Sequence, residues 1–149
     1  MAQAELLPEV TKFIEAPKMT IDGKAVDAIS GKTFSVYDPS TGQVFAEVPE
    51  AGVPDVDEGV AAARRAFEDR RWSGIRPGKR TEILMKIADL IKRNLNELAQ
   101  LEALDSGKPL QLASGEMWAA SEAFRYFAGW PTKIYGETNP TEDGLFVYT

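Results

Sequence analysis

The sequence predicts an α+β fold, two small antiparallel hairpins plus a helical bundle, on three observations. Asp22-Gly23 lies between two short strand-like runs, 18–21 and 24–27, and Asp-Gly suits a type I′ turn, which needs positive φ at both central positions. A second pair of alternating runs, 33–37 and 43–48, flanks Asp38-Pro39-Ser40-Thr41-Gly42, with Asp, Pro and Gly at favourable turn positions. Beyond residue 53 the apolar period lengthens from that of strands to that of helices.

Taken in order, residues 1–17 are expected to form an irregular lead-in around a short helical turn at 9–14. Ser30-Gly31-Lys32 separates the two hairpins. Pro54 suits a first helical position, and Asp55, Asp57 and Glu58 place negative charge at the favourable end of that helix. Val56, Val60, Ala63 and Phe67 make its apolar stripe, and Trp72 is placed to plug its end. Pro77 starts a second helix, whose Ile83, Leu84, Ile87, Leu90 and Ile91 lie opposite Lys86, Lys92 and Arg93. Asn94 can cap a third, with Glu97 as the reciprocal acid, and Leu98, Leu101 and Leu104 continue the burial.

That third helix stops at Gly107-Lys108-Pro109. Gly107 can turn left-handed, Lys108 brings positive charge to the carboxyl end, and Pro109 forbids continuation. Asp105 is the odd member, an acid facing the negative end of the dipole. It therefore sits outside the helix proper or has a positively charged partner. A last helix, about 111–128, carries Met117, Ala120, Phe124, Phe127 and Ala128 as a buried stripe. Trp118, Ala119 and Tyr126 widen it, and a helix apolar over most of its circumference is buried on several sides. After a polar loop, 137–144, residues 145–149 begin a strand with no partner following, an exposed edge.

Composition excludes several functions. The net charge is −6 with basic residues dispersed, so the basic footprint of a nucleic-acid binder is missing. The first residues lack the Lys or Arg of a signal peptide, and no run approaches the roughly 18 apolar residues of a membrane span. The expectation is a soluble, cytoplasmic protein bound to neither membrane nor nucleic acid. With no cysteine there is no disulfide, zinc–thiolate site or thiol nucleophile. With no histidine the commonest general base is gone, and any bound cation must use oxygen ligands. Gly31-Lys32-Thr33 lacks the P-loop's earlier glycine, since Val26 stands there, and strand rather than helix follows. Ser106-Gly107-Lys108 fails likewise, and no G-x-G-x-x-G is present. By motif, no catalytic and no cofactor-binding residue is assigned.

Six stretches in order carry a resemblance. They are Ile21-Asp22-Gly23-Lys24, Tyr37 through Gly42, Asp55-Val56-Asp57 with Ala61 through Phe67, Arg80 through Leu90, Leu104 through Pro109, and Arg125 through Trp130. Together, over about 18–149, the chain resembles the amino-terminal part of the aldehyde dehydrogenase superfamily, which oxidises aldehydes to acids with NAD or NADP. The resemblance implies part of an α/β fold in the full-length family. Residues 18–136 would be amino-terminal hairpins and helices of the cofactor-binding domain, and 137–149 the start of an oligomerisation arm strand. The family's cysteine nucleophile, glutamate base, oxyanion-hole asparagine and cofactor-binding residues would all lie beyond the position of Thr149. This chain alone is then expected to be inactive and not to hold NAD or NADP. The resemblance also implies a monovalent cation near the main-chain oxygens of Val36 and Tyr37 and the acid Asp105, in a site lacking its remaining ligand. It places Glu116 and Ala119 toward the aldehyde tunnel. The implied partners are the rest of an enzyme chain or sister subunits, met through strand 145–149. The competing expectation is a non-catalytic α+β interaction module on the same scaffold.

Overall fold

The structure, a computed structural model, describes residues 5–149. The elements run α1 (Pro8–Glu15), β1 (Met19–Ile21), β2 (Lys24–Val26), β3 (Thr33–Tyr37), β4 (Val44–Pro49), α2 (Val53–Glu68), α3 (Pro77–Arg93), α4 (Leu95–Ser106), α5 (Leu110–Ala128), β5 (Thr138–Asn139) and β6 (Val147–Tyr148). The strands form three separate antiparallel pairs, β1–β2, β3–β4 and β5–β6. The α+β class holds, and each expected hairpin is present. Asp22 and Gly23 have φ of 50° and 74°, as the primed turn requires.

The lead-in is more ordered than expected. Two full turns of α1 start at Pro8, bury Val10 completely and pack on α4 and β4. The Leu7 amide donates to Gln100 Oε1 at 2.8 Å, tying the segment to α4. A Pro at the first helical position costs no hydrogen bond, which is why so short a helix is tolerated once it has a surface to pack on. Of the lead-in, residues 1–4 lie outside the described residues.

The turn from β3 to β4 is held by one buried carboxylate. Asp38 accepts from the Ser40 amide at 2.8 Å, the Ser40 hydroxyl at 2.7 Å and the Thr41 hydroxyl at 3.0 Å. These donors, Ser40's hydroxyl foremost, hold the Asp38 carboxyl below its ordinary range. A lowered folded-state pKa adds stability that is complete above the unfolded value near ~4 and is lost as pH falls through the lower folded value. The melting temperature should therefore fall as pH drops below ~4, and a Ser40→Ala/Thr41→Val chain should show a shallower fall.

Small residues make the helical core. α5 lies across α3 and α4, and Ala88, Ala99, Ala113, Ser121 and Ala128 there are all at most 1% exposed. Ser121 Oγ donates to the Ala88 carbonyl at 2.9 Å, and Thr81 Oγ1 donates to the Ala128 carbonyl at 2.7 Å. Alanine and serine let two helix backbones approach closely, and the serine hydroxyl meets a carbonyl across the contact. The expected stripe of large residues is overturned at two places: Phe124 is 37% and Phe127 59% exposed. Trp118 and Tyr126 also face outward, so α5 is buried on one side only.

Three further expectations are corrected. The α2 stripe of Val56, Val60 and Phe67 faces solvent, and the buried residues of that helix are Asp55 and Ala62. Asp55 does more than complement the dipole: Oδ1 accepts from the Ile29 amide at 2.9 Å and Oδ2 from the Gly52 amide at 2.8 Å. Asn94 does not cap α4; its side chain donates back to the Leu90 carbonyl at 2.8 Å, closing α3 instead. The last strand is not wholly orphaned either. β6 pairs with β5, which forms inside the expected loop, although both strands stay exposed.

Candidate functional site

The stop at the end of α4 brings distant parts of the chain together. Gly107 takes φ 71°, the left-handed conformation that ends a helix. A side chain there would sit 3.2 Å from Pro39 Cβ, so the β3–β4 turn rests directly on the helix end. Both effects strain a Cβ there. Gly107→Ala should cost about 1–2 kcal/mol, read by urea unfolding, from the left-handed backbone and the Pro39 contact together.

This contact places the turn that follows Val36 and Tyr37 beside the last turn of α4, where Asp105 lies. Asp105 falls inside the helix proper, is exposed, and has no basic partner among the described ion pairs. A register irregularity in β3–β4 falls between Val36 and Tyr37, where Phe45 is the extra residue on the opposite strand. Such bulges release backbone groups from a ladder. No cluster of three or more acidic side chains suited to a metal occurs among the described residues. The expected donors at this place, two main-chain oxygens and one carboxylate, are all oxygens.

Lys108 turns away from the helix end toward two acids. Its Nζ lies 2.6 Å from Glu102 Oε1 on α4 and 2.6 Å from Glu116 Oε2 on α5. Glu102 first and Glu116 second raise the Lys108 pKa above the ordinary lysine range. Glu116, Ala119, Ala123 and Phe127 recur at i, i+3, i+7 and i+11, one face of α5, and all four are exposed. Beside them Tyr126 meets Phe127 edge-on with ring centroids 5.1 Å apart, and Trp130 lies 6.5 Å from Tyr126. Glu116 and Ala119 thus share an exposed, largely apolar face of α5, at whose edge Lys108 bonds Glu116. A small cleft of about 140 Å³ lies elsewhere, between the Asp38 turn, α4 and Leu110, and contains neither residue.

Residues 26–149 match the family described as "Aldehyde dehydrogenase family". The chain belongs to that family. It is 42% identical over 137 residues to the mitochondrial benzaldehyde dehydrogenase of Antirrhinum majus, covering 91% of this chain and 26% of that protein. It is 41% identical over 150 residues to an aldehyde dehydrogenase of Enchytraeus buchholzi, covering 98% of this chain and 30% of the relative. Among solved structures, the NAD+ complex of the Bacillus cereus aldehyde dehydrogenase superposes with a TM-score of 0.88 at 47% identity, over 97% of this chain and 30% of that one. The chain therefore spans less than a third of the length of these aldehyde dehydrogenases. No described helix is long and apolar enough to cross a membrane.

Two features, one in the site and one in the fold, escape sequence reasoning. Lys108 looked like a dipole partner, and only the fold shows Glu116 within its reach. Asp55 looked like one of three interchangeable acids, and its long-range partner Ile29 carries no local signal.

Proposed function

We propose that this chain is the amino-terminal portion of an NAD(P)-dependent aldehyde dehydrogenase that oxidises aldehydes to carboxylic acids in the cytoplasm. The observation that carries this reading is the open α5 face in a chain spanning under a third of its relatives. A face of Glu116, Ala119, Ala123 and Phe127 has the mixed small and aromatic character of a substrate wall, and needs a second wall to enclose anything. NAD or NADP supplies the hydride acceptor in such an enzyme. This chain's residues would guide the aldehyde, while Val36, Tyr37 and Asp105 would offer oxygens to a monovalent cation. Strand 145–149 would extend toward the rest of the enzyme or a sister subunit, consistent with its exposed pair. Residues 18–136 would serve as the hairpins and helices of the cofactor-binding domain.

By itself the chain should be inactive. Family catalysis proceeds through a thiolate, and there is no cysteine here to supply one. The test mixes purified chain with NAD+ or NADP+ and a panel of aldehydes, beside the same chain joined to the downstream part of the Bacillus cereus enzyme. NADH or NADPH should form only in the joined protein. Robust turnover by the separate chain, or none after folded joining, overturns the proposal. The cation reading has its own check. Exchanging tetramethylammonium for potassium at constant ionic strength should raise the melting temperature of the joined protein and leave that of the separate chain unmoved.

A second reading, a non-catalytic α+β interaction module, is favoured by one observation: every buried side-chain polar atom among the described residues has a hydrogen-bond partner. On that reading the separate chain melts cooperatively as a monomer and binds no hydrophobic dye, whereas the enzyme-portion reading expects dye binding.

A further inference from the structure

We propose that Lys108 is a specificity-determining positioning residue, which pairs with Glu116 on the open face of α5, lowers the negative potential there and so suits that face to uncharged aldehydes. The inference rests on the reading of α5 as an aldehyde wall and adds a substrate class to it. Glu116 is the one ionisable side chain in the stripe Glu116, Ala119, Ala123 and Phe127. Left alone, its carboxylate would stand one helical turn from Ala119, about 5–6 Å away, and would repel an anionic substrate and hold a cationic one.

The geometry weakens this potential. Lys108 Nζ bonds Glu116 Oε2 at 2.6 Å, while the Lys108 side chain is only 23% exposed and is braced from behind by Glu102 Oε1 at 2.6 Å. The brace matters, because a solvated lysine on a flexible stem would pair with Glu116 only part of the time. Held between two helices by two acids, the ammonium lies within bonding distance of Glu116 and Glu102 alike. Glu102 extends from α4 and Glu116 from α5, so Lys108 links the two helices, and the triad keeps one net negative charge shared between its two carboxylates.

The absence of cysteine makes the test direct. Ala119→Cys introduces a single thiol on the stripe, and its reaction rates with a cationic and an anionic methanethiosulfonate are compared. The ratio of the two rates reports local potential, because changes in thiol exposure or ionisation affect both rates alike. In the Ala119→Cys chain the ratio should favour the cation only modestly over that of a model thiol, because the triad keeps one net negative charge. Adding Lys108→Met should raise it about three-fold or more in favour of the cation, and Lys108→Arg should leave it near the starting value. Glu116→Gln in the Ala119→Cys background should instead shift the ratio toward the anion, and it decides the matter if Lys108→Met does not fold. An unchanged ratio in a folded Lys108→Met chain, or in the Glu116→Gln chain, overturns the proposal. The rate ratio reads the clamp whether or not the face meets an aldehyde. The aldehyde path itself is read by the joined-protein assay, so failure of one is distinct from failure of the other.

Discussion

Asp55→Ala should destabilise the chain by about 2–4 kcal/mol, more than any other single side-chain truncation proposed for this fold. The carboxylate is 4% exposed and takes two backbone amides that no other group serves: Ile29, after the first hairpin, and Gly52, at the start of α2. Alanine leaves both part-buried amides without their charged acceptor and removes the bridge between the first hairpin and the start of α2. For a chain of this length the melting temperature should fall by roughly 5–15 °C. Asp55→Asn keeps one acceptor oxygen and should recover about half of the loss. Equal losses for alanine and asparagine, in urea titrations followed by circular dichroism, would show that the bridging bonds contribute little.

Ala88→Leu should cost about 1–3 kcal/mol by the opposite mechanism, insertion into a contact with no spare room. Ala88 is 0% exposed, and its carbonyl receives the Ser121 hydroxyl at 2.9 Å across the α3–α5 contact. Three extra carbons there must push the helices apart and stretch that bond. Ser121→Ala removes the hydroxyl without adding volume and should cost only about 1 kcal/mol. The pair of variants separates packing from hydrogen bonding: a leucine tolerated as easily as the serine truncation would mean that the helices are loosely packed.

Local chemistry made much of the fold legible. Asp22-Gly23, Asp38 through Gly42 and Gly107-Lys108-Pro109 each encode a backbone geometry that neighbouring residues alone can enforce, and each is found as expected. What sequence could not show depends on long-range choice. On α5, the apolar residues offer two faces with the same helical period, one of alanine and serine and one of aromatics. Size favours the aromatics as core, yet the close α3–α5 approach selects the small residues. Asp55 and Asp57 look alike in sequence, and only the arrival of Ile29 from 26 residues away singles out the first. Asn94 had two local options, capping α4 or closing α3, and took the carbonyl four residues back. The site was legible to the extent that Glu116 and Ala119 share a face, while the Lys108 clamp needed the loop geometry that joins α4 to α5.

The central claim is that the aromatic face of this chain is open because its cover belongs to other parts of an aldehyde dehydrogenase. Acrylamide quenching of the tryptophans, in chain shown to be monomeric by sedimentation, tests it most directly. Trp72, Trp118 and Trp130 are 46%, 55% and 46% exposed, so the account predicts red-shifted emission that acrylamide quenches readily in the separate chain. Blue-shifted emission that resists quenching in the monomer would mean that the chain covers these rings itself, and would contradict the account.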